Sequence, residues 1–132
     1  MSTRLELIAI AGLPMVQAGD DLAALLADGM AQAGLAPRDG DVLVLAQKIV
    51  SKAEGRAVVL ADVTPSEEAE RLGAEIGKDP RLVQVVLSES SRVVRSRPNL
   101  MIMQHRLGFI MANAGVDQSN VAPADGVARA LL

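Results

Sequence analysis

The chain has 132 residues, half of them apolar, with a net charge of −3 and a mean hydropathy of +0.28; it is long enough to bury the core of a single domain and too apolar to stay disordered. It has no cysteine, one histidine and a single aromatic residue, Phe109, which excludes disulfides, thiolate metal sites, a multi-histidine zinc centre and an aromatic platform for stacked bases. The acidic balance disfavours general nucleic-acid or membrane-surface binding, and any metal must use oxygen ligands, which suits magnesium, manganese or calcium.

In chain order, "LELIAIAG" (Leu5–Gly12) is aliphatic and loosely alternating, and predicts a strand. Gly12 and Pro14 break it. Asp20 or Asp21 then caps a helix from Leu22 to about Gly34, with Leu22, Leu25, Leu26, Met30 and Ala33 on one face. "VLVLAQ", Val42–Gln47, predicts a buried strand, followed by "KIVSKAEG" and a short strand in "RAVVLADV". Thr64-Pro65-Ser66-Glu67 predicts a helix start with Thr64 as cap and the proline in the first turn. That helix turns Ala69, Leu72 and Ile76 inward and pairs Glu67 with Arg71 on its wet side. Gly77 and Pro80 punctuate it before a second helix, "RLVQVVLSES", packing Leu82, Val83, Val86 and Leu87. Two strands, Leu100–Gln104 and Phe109–Ala112, follow the basic stretch "RVVRSRPN". Helices and strands mixed without strict alternation predict an α+β or irregular α/β fold. No apolar run approaches the roughly 20 residues that span a bilayer, and no leader pattern opens the chain, so a cytoplasmic protein is expected. The apolar end of "VAPADGVARALL" suggests that the chain was cut from a longer one.

Four stretches carry residues fit for chemistry. "AGLPM" leaves a predicted strand with a glycine that lets a ligand approach the backbone and a proline that stiffens the turn; it serves equally as an ordinary tight turn. "QKIVSKAEG" places Gln47, Lys48 and Lys52 at a strand end, where ligands of sheet proteins often sit; two ammonium groups suit phosphate, or are simply solvated. Neither a Gly-x-x-x-x-Gly-Lys-Ser/Thr loop nor a Gly-x-Gly-x-x-Gly fingerprint is present. Arg92, Arg95, Arg97 and Arg106 form forks suited to phosphate or carboxylate, or pair with the Glu-rich helix. His105 is either an acid–base group or structural. Last, "NAGVDQSN" (113–120) is either a solvated turn or a loop that binds a ligand. Asp117 offers a hard oxygen to a divalent cation, and Asn120 an acceptor and two donors to a base or sugar edge.

"GLPMVQAGDDLAALL", "DGDVLVLAQKIVSKAEGR", "DVTPSEEAERLGAEIGKDPRLVQVVLSES" and "GFIMANAGVDQSNV", in order from about Leu5 to Val121, resemble the coenzyme F420:L-glutamate ligase family, also called F420-0:γ-glutamyl ligase. The resemblance implies the family's own α+β fold, a mixed sheet with flanking helices, in an intertwined homodimer. It implies GTP-dependent attachment of L-glutamate to the deazaflavin coenzyme precursor through an amide bond, with Mg2+ or Mn2+ and assistance from K+. Carried over by residue, Gly12, Leu13, Pro14 and Met15 resemble the first GTP-binding segment, and Gln47, Lys48 and Lys52 the second. Asp117 matches a metal ligand and Asn120 a GTP contact. Family members continue beyond the equivalent of Leu132, with another Asp and neighbouring hydroxyl for the metals and a further GTP segment. The expectation is therefore a single, truncated domain over 1–132: the amino-terminal portion of a ligase, or a non-catalytic nucleotide-binding or dimerisation module.

Overall fold

The computed structural model describes residues 4–118 and 126–132. Over these the chain divides into two units, 1–55 and 56–132, and the architecture is α+β, with four helices and two antiparallel sheets. Among the described residues, no helix is long and apolar enough to cross a membrane.

In the first unit, helix α1 (Leu22–Gln32) begins where the Asp21 carboxylate accepts from the Ala24 N–H at 3.0 Å. Asp20 does a different job: its carboxylate accepts from the Gln17 N–H at 2.7 Å, closing the preceding turn. The helix buries Leu26 and Gly29, while Ala33, expected on the inner face, is exposed. Helix α2 (Gln47–Ala53) follows, and its last carbonyl, on Ala53, accepts from the Gly19 N–H at 2.8 Å.

Neither predicted strand of this unit forms. Residues 5–12 and 42–46 belong to no sheet among the described residues, and Leu7 and Val44 are 87% and 85% exposed. Apolar alternation measures fitness for a pleated, half-buried surface rather than an intrinsic backbone preference. With no ladder opposite, these segments keep the composition of strands without the structure. Gln47, placed by the sequence at a strand end, instead opens α2.

The second unit begins with β1 (Ala57–Val59) and a 3-10 turn over Leu60–Asp62. Helix α3 (Glu67–Ile76) is capped by Ser66, not by Thr64: the Ser66 hydroxyl accepts from the Ala69 N–H at 3.3 Å. Pro65 therefore precedes the cap rather than occupying the first turn. Ala69, Leu72 and Ile76 are buried as their spacing requires, but Arg71 pairs with Glu75 at 3.6 Å rather than with Glu67. Gly77, with φ of 73°, ends the helix in the left-handed region that glycine adopts without steric penalty. Asp79 caps helix α4 (Pro80–Ser88), which puts Pro80 at its first position and buries Val83, Val85 and Val86.

Strands β2 (Ser90–Arg97), β3 (Leu100–His105) and β4 (Ile110–Ala112) form one antiparallel sheet in that order. β3 alternates strictly, burying Met101, Met103 and His105. β2 does not, because register shifts between Ser90 and Arg92 and between Val93 and Arg95 each add a residue. Its less exposed positions therefore fall three apart, at Ser90, Val93 and Ser96. β5 (Arg129–Leu131), inside what the sequence suggested was a tail, pairs antiparallel with β1 and buries Ala130 and Leu131. The core joins Leu60, the inner residues of α3 and α4, Met101, Met103, Ala114, Val116 and Ala130.

Candidate functional site

The Gly12–Met15 loop is built around one anchored side chain. Leu13 packs on α1 where Gly29 leaves room; a Cβ at Gly29 would lie 2.7 Å from a Leu13 methyl. Gly12 takes φ of 78° in open space, and Met15 is exposed. The sequence therefore delivers an exposed, stiffened turn with its base pinned to a helix.

Gln47, Lys48 and Lys52 share α2. Gln47 and Ser51 stand one turn apart, and the Gln47 amide donates to the buried Ser51 hydroxyl at 2.9 Å. Lys48 and Lys52, also four residues apart and half-buried, lie on one helical face. A helix thus replaces the strand end or surface loop that the sequence suggested for these two lysines. These residues belong to the unit 1–55, and Asp117 to the unit 56–132.

Asp117 is held through its backbone. Its N–H donates to the Leu131 carbonyl at 2.9 Å and its own carbonyl accepts from the Leu131 N–H at 2.8 Å. Ahead of it, Asn113, Ala114 and Gly115 take φ of 50°, 52° and 83° in succession. That run is costly for the two non-glycine residues, and Ala114 and Val116 compensate it by burial against the core. The Asn113 side-chain oxygen accepts from the Lys78 ammonium at 2.8 Å, and desolvation holds Lys78 below the ordinary lysine range. Asn120, the expected GTP contact, lies outside the described residues.

Asp117 is the right donor type for Mg2+ or Mn2+, as one ligand. Among the described residues no three His, Cys, Asp or Glu side chains gather as a cation site, so a cation at Asp117 would need further oxygens.

His105 and Arg106, for which the sequence left a structural role open beside acid–base or anion-binding chemistry, are engaged structurally. Glu89, buried at the end of α4, takes His105 Nε2 at 3.3 Å and the Arg56 and Arg106 guanidinium groups at 2.9 Å each. His105 Nδ1 accepts from the Leu107 N–H at 3.0 Å, and its ring stacks on Phe109 at 4.4 Å. The uncharged tautomer with its proton on Nε2 satisfies both contacts. Arg92 donates to Gln104 at 2.7 Å. Glu89 and Lys78 were not singled out in the sequence, because each acts on a partner far along the chain; the only local signal is "GKDP", a rigid joint between two helices.

Residues 11–130 match the family model described as F420-0:Gamma-glutamyl ligase. The chain belongs to this family. Coenzyme F420:L-glutamate ligase of Methanothermobacter thermautotrophicus is 43% identical over 127 residues, covering 96% of this chain and 50% of the relative. The enzyme of the same name from Methanopyrus kandleri is 44% identical over 108 residues, 82% of this chain and 41% of the relative. That from Natronomonas pharaonis is 46% identical over 127 residues, 92% and 48% respectively. The chain thus spans about half the length of the curated relatives it matches in the F420-0:gamma-glutamyl ligase family.

Proposed function

We propose that the chain supplies the nucleotide- and metal-binding amino-terminal half of a ligase that joins L-glutamate to the deazaflavin coenzyme F420 precursor by an amide bond, at the expense of GTP. The observation that carries this reading is the match to the ligase family over residues 11–130. It is supported by relatives named coenzyme F420:L-glutamate ligase that align with nearly the whole chain.

In this reading a carboxylate oxygen of the precursor attacks the γ-phosphorus of GTP. The P–O bond to the β-phosphate breaks and GDP leaves. The resulting acyl phosphate is attacked by the glutamate amine; the C–N bond forms, inorganic phosphate departs with the former carboxylate oxygen, and the amine proton passes to solvent. Lys48 and Lys52 hold the phosphate charge from one face of α2, Gln47 orients the nucleotide, and the exposed backbone of Gly12, Leu13, Pro14 and Met15 contacts it. Asp117 contributes one oxygen ligand to Mg2+ or Mn2+, with Asn120 contacting GTP three residues later. A divalent cation held by Asp117 and further oxygens would supply charge neutralisation to the phosphates, with K+ in support. The working protein is a cytoplasmic homodimer that needs neither nucleic acid nor a membrane.

A second reading is a module that binds nucleotide without turnover. Calorimetry of the complete protein with GTP and Mn2+, beside an assay of GDP release with precursor and glutamate, decides between them. Glutamate-dependent GDP release by the complete protein establishes the ligase, GTP binding there without release establishes the module, and absence of GTP binding refutes the nucleotide site.

A further inference from the structure

We infer that Lys78 is a positioning residue for Asp117: its ammonium, donated to the Asn113 side chain, fixes the left-handed turn that sets the Asp117 carboxylate. The inference rests on the proposed role of Asp117. Three features of the structure combine to give it.

The base of Lys78 is immobile. Its N–H donates to the Gly73 carbonyl at 3.0 Å, and its own carbonyl lies so near α3 that a Cβ at Gly73 would meet it at 2.9 Å. The next residue, Asp79, is the cap of α4. The backbone fixes where the flexible four-carbon stem starts, and the bond to Asn113 fixes where its ammonium ends.

The turn that it meets does not hold itself by local preference. Asparagine tolerates φ of 50°, but alanine at 52° is unfavourable outside a restraining context. Inside the turn, the Val116 N–H donates to the Asn113 carbonyl at 3.0 Å. Across sequence, the restraint on the Asn113 side chain is the 2.8 Å bond from Lys78.

Asp117 is pinned on the other side by its backbone pair with Leu131. Only residues 114–116 separate the two pins, so the setting of the Asp117 side chain depends on the turn at Asn113 together with the core contacts of Ala114 and Val116. Groups hydrogen-bonded directly to a ligand change metal affinity about 10–100-fold when removed, and a support acting through the turn belongs at the low end of that range.

The test uses the isotopically labelled complete ligase without ligand and then with Mn2+ alone. Lys78→Met keeps the stem and removes the donor; Lys78→Arg restores a donor; Asn113→Gly removes the acceptor and relieves the strained φ, so one variant folds even where another is too unstable. The expected result is that Lys78→Met and Asn113→Gly move the amide resonances of residues 113–117 and leave Met101 and Met103 in place, with Lys78→Arg returning toward the parent. Paramagnetic broadening of the Asp117 amide should then need about tenfold more Mn2+ in Lys78→Met than in the parent. Unchanged resonances over 113–117 in Lys78→Met overturn the inference. Shifted resonances with no broadening at Asp117 in any protein, parent included, uphold the positioning contact and refute the metal role of Asp117 instead.

Discussion

Glu89 and Arg106 are joined twice: the Arg106 backbone N–H donates to the Glu89 carbonyl at 2.9 Å, and the Arg106 guanidinium meets the Glu89 carboxylate at the same distance. The double link ties the turn after β3 to the end of α4. Arg56 joins the same carboxylate beside β1, and the Arg56 carbonyl accepts from the Leu132 N–H at 3.0 Å. One carboxylate therefore connects three parts of the second unit.

Glu89→Gln is expected to destabilise the chain by about 2 kcal/mol. A hydrogen bond to a charged group is worth about 1.5–3 kcal/mol, and the Glu89 side chain is only 8% exposed. Breaking a fully buried pair costs about 3–5 kcal/mol, but the Arg106 side chain is 52% exposed and recovers hydration. The substituted amide keeps one acceptor oxygen but loses the charge that binds both guanidinium groups. Urea unfolding measures the change, and a variant within about 0.5 kcal/mol of the parent would refute a structural role for the cluster.

Gly73→Ala tests the close approach of the helix joint. Alanine in place of glycine inside a helix normally gains about 1 kcal/mol. Here the added methyl would stand 2.9 Å from the Lys78 carbonyl and 3.3 Å from Pro80, both backbone-bound and unable to swing aside. Overpacking of this type costs about 1–3 kcal/mol, so net destabilisation is expected. A raised melting temperature would show that the joint yields easily.

Asp79 predicts a pH dependence. The Arg81 guanidinium hydrogen-bonded to Asp79 holds its carboxyl below the usual carboxylate range, and the Arg81 N–H assists. A carboxyl lowered in the folded state stabilises fully above its unfolded pKa, and the contribution fades as pH falls through the folded value. Asp79→Ala should cost about 0.5–2 kcal/mol at neutral pH through the lost cap, and that difference should shrink as pH drops below about 4. Urea midpoints of the two proteins over that range provide the check. A gap that widens in acid contradicts the sign.

Local patterns were legible; distant partnerships were not. The inner faces of α3 and β3 follow from Ala69, Leu72 and Ile76, and from Met101 and Met103, because each needs only its own element's periodicity. β2 hides behind its bulges, which destroy the alternation that "RVVRSR" would otherwise display. The aliphatic segments 5–12 and 42–46 misled in the opposite sense, since alternation says nothing about whether a partner strand lies alongside. In the candidate site, the residue types of Lys48, Lys52 and Asp117 were evident from the sequence. Their setting was not: α2 replaced a strand end, and the pairing of Asp117 with Leu131 depends on β5, concealed in an apparent tail. The fixed turn at Asn113 depends on Lys78, thirty-five positions away.

Asp117→Asn separates the chemistry of this residue from its architecture. The amide is nearly isosteric, and the contacts that hold residue 117 to Leu131 are made by backbone atoms alone. The backbone pair should therefore survive the substitution, and the melting temperature of the metal-free variant reports separately what the side chain itself contributes to stability. Activity should respond differently. Asparagine keeps an oxygen but loses the negative charge that draws a hard cation. If a divalent ion contributes several kcal/mol to phosphoryl transfer, its weakened binding should lower metal-dependent glutamylation by the complete ligase on the order of 100-fold at ordinary magnesium. Raising Mn2+ should recover part of that loss without altering the melting temperature of the metal-free protein. Full activity of the variant at low metal would assign the ligand role to another residue.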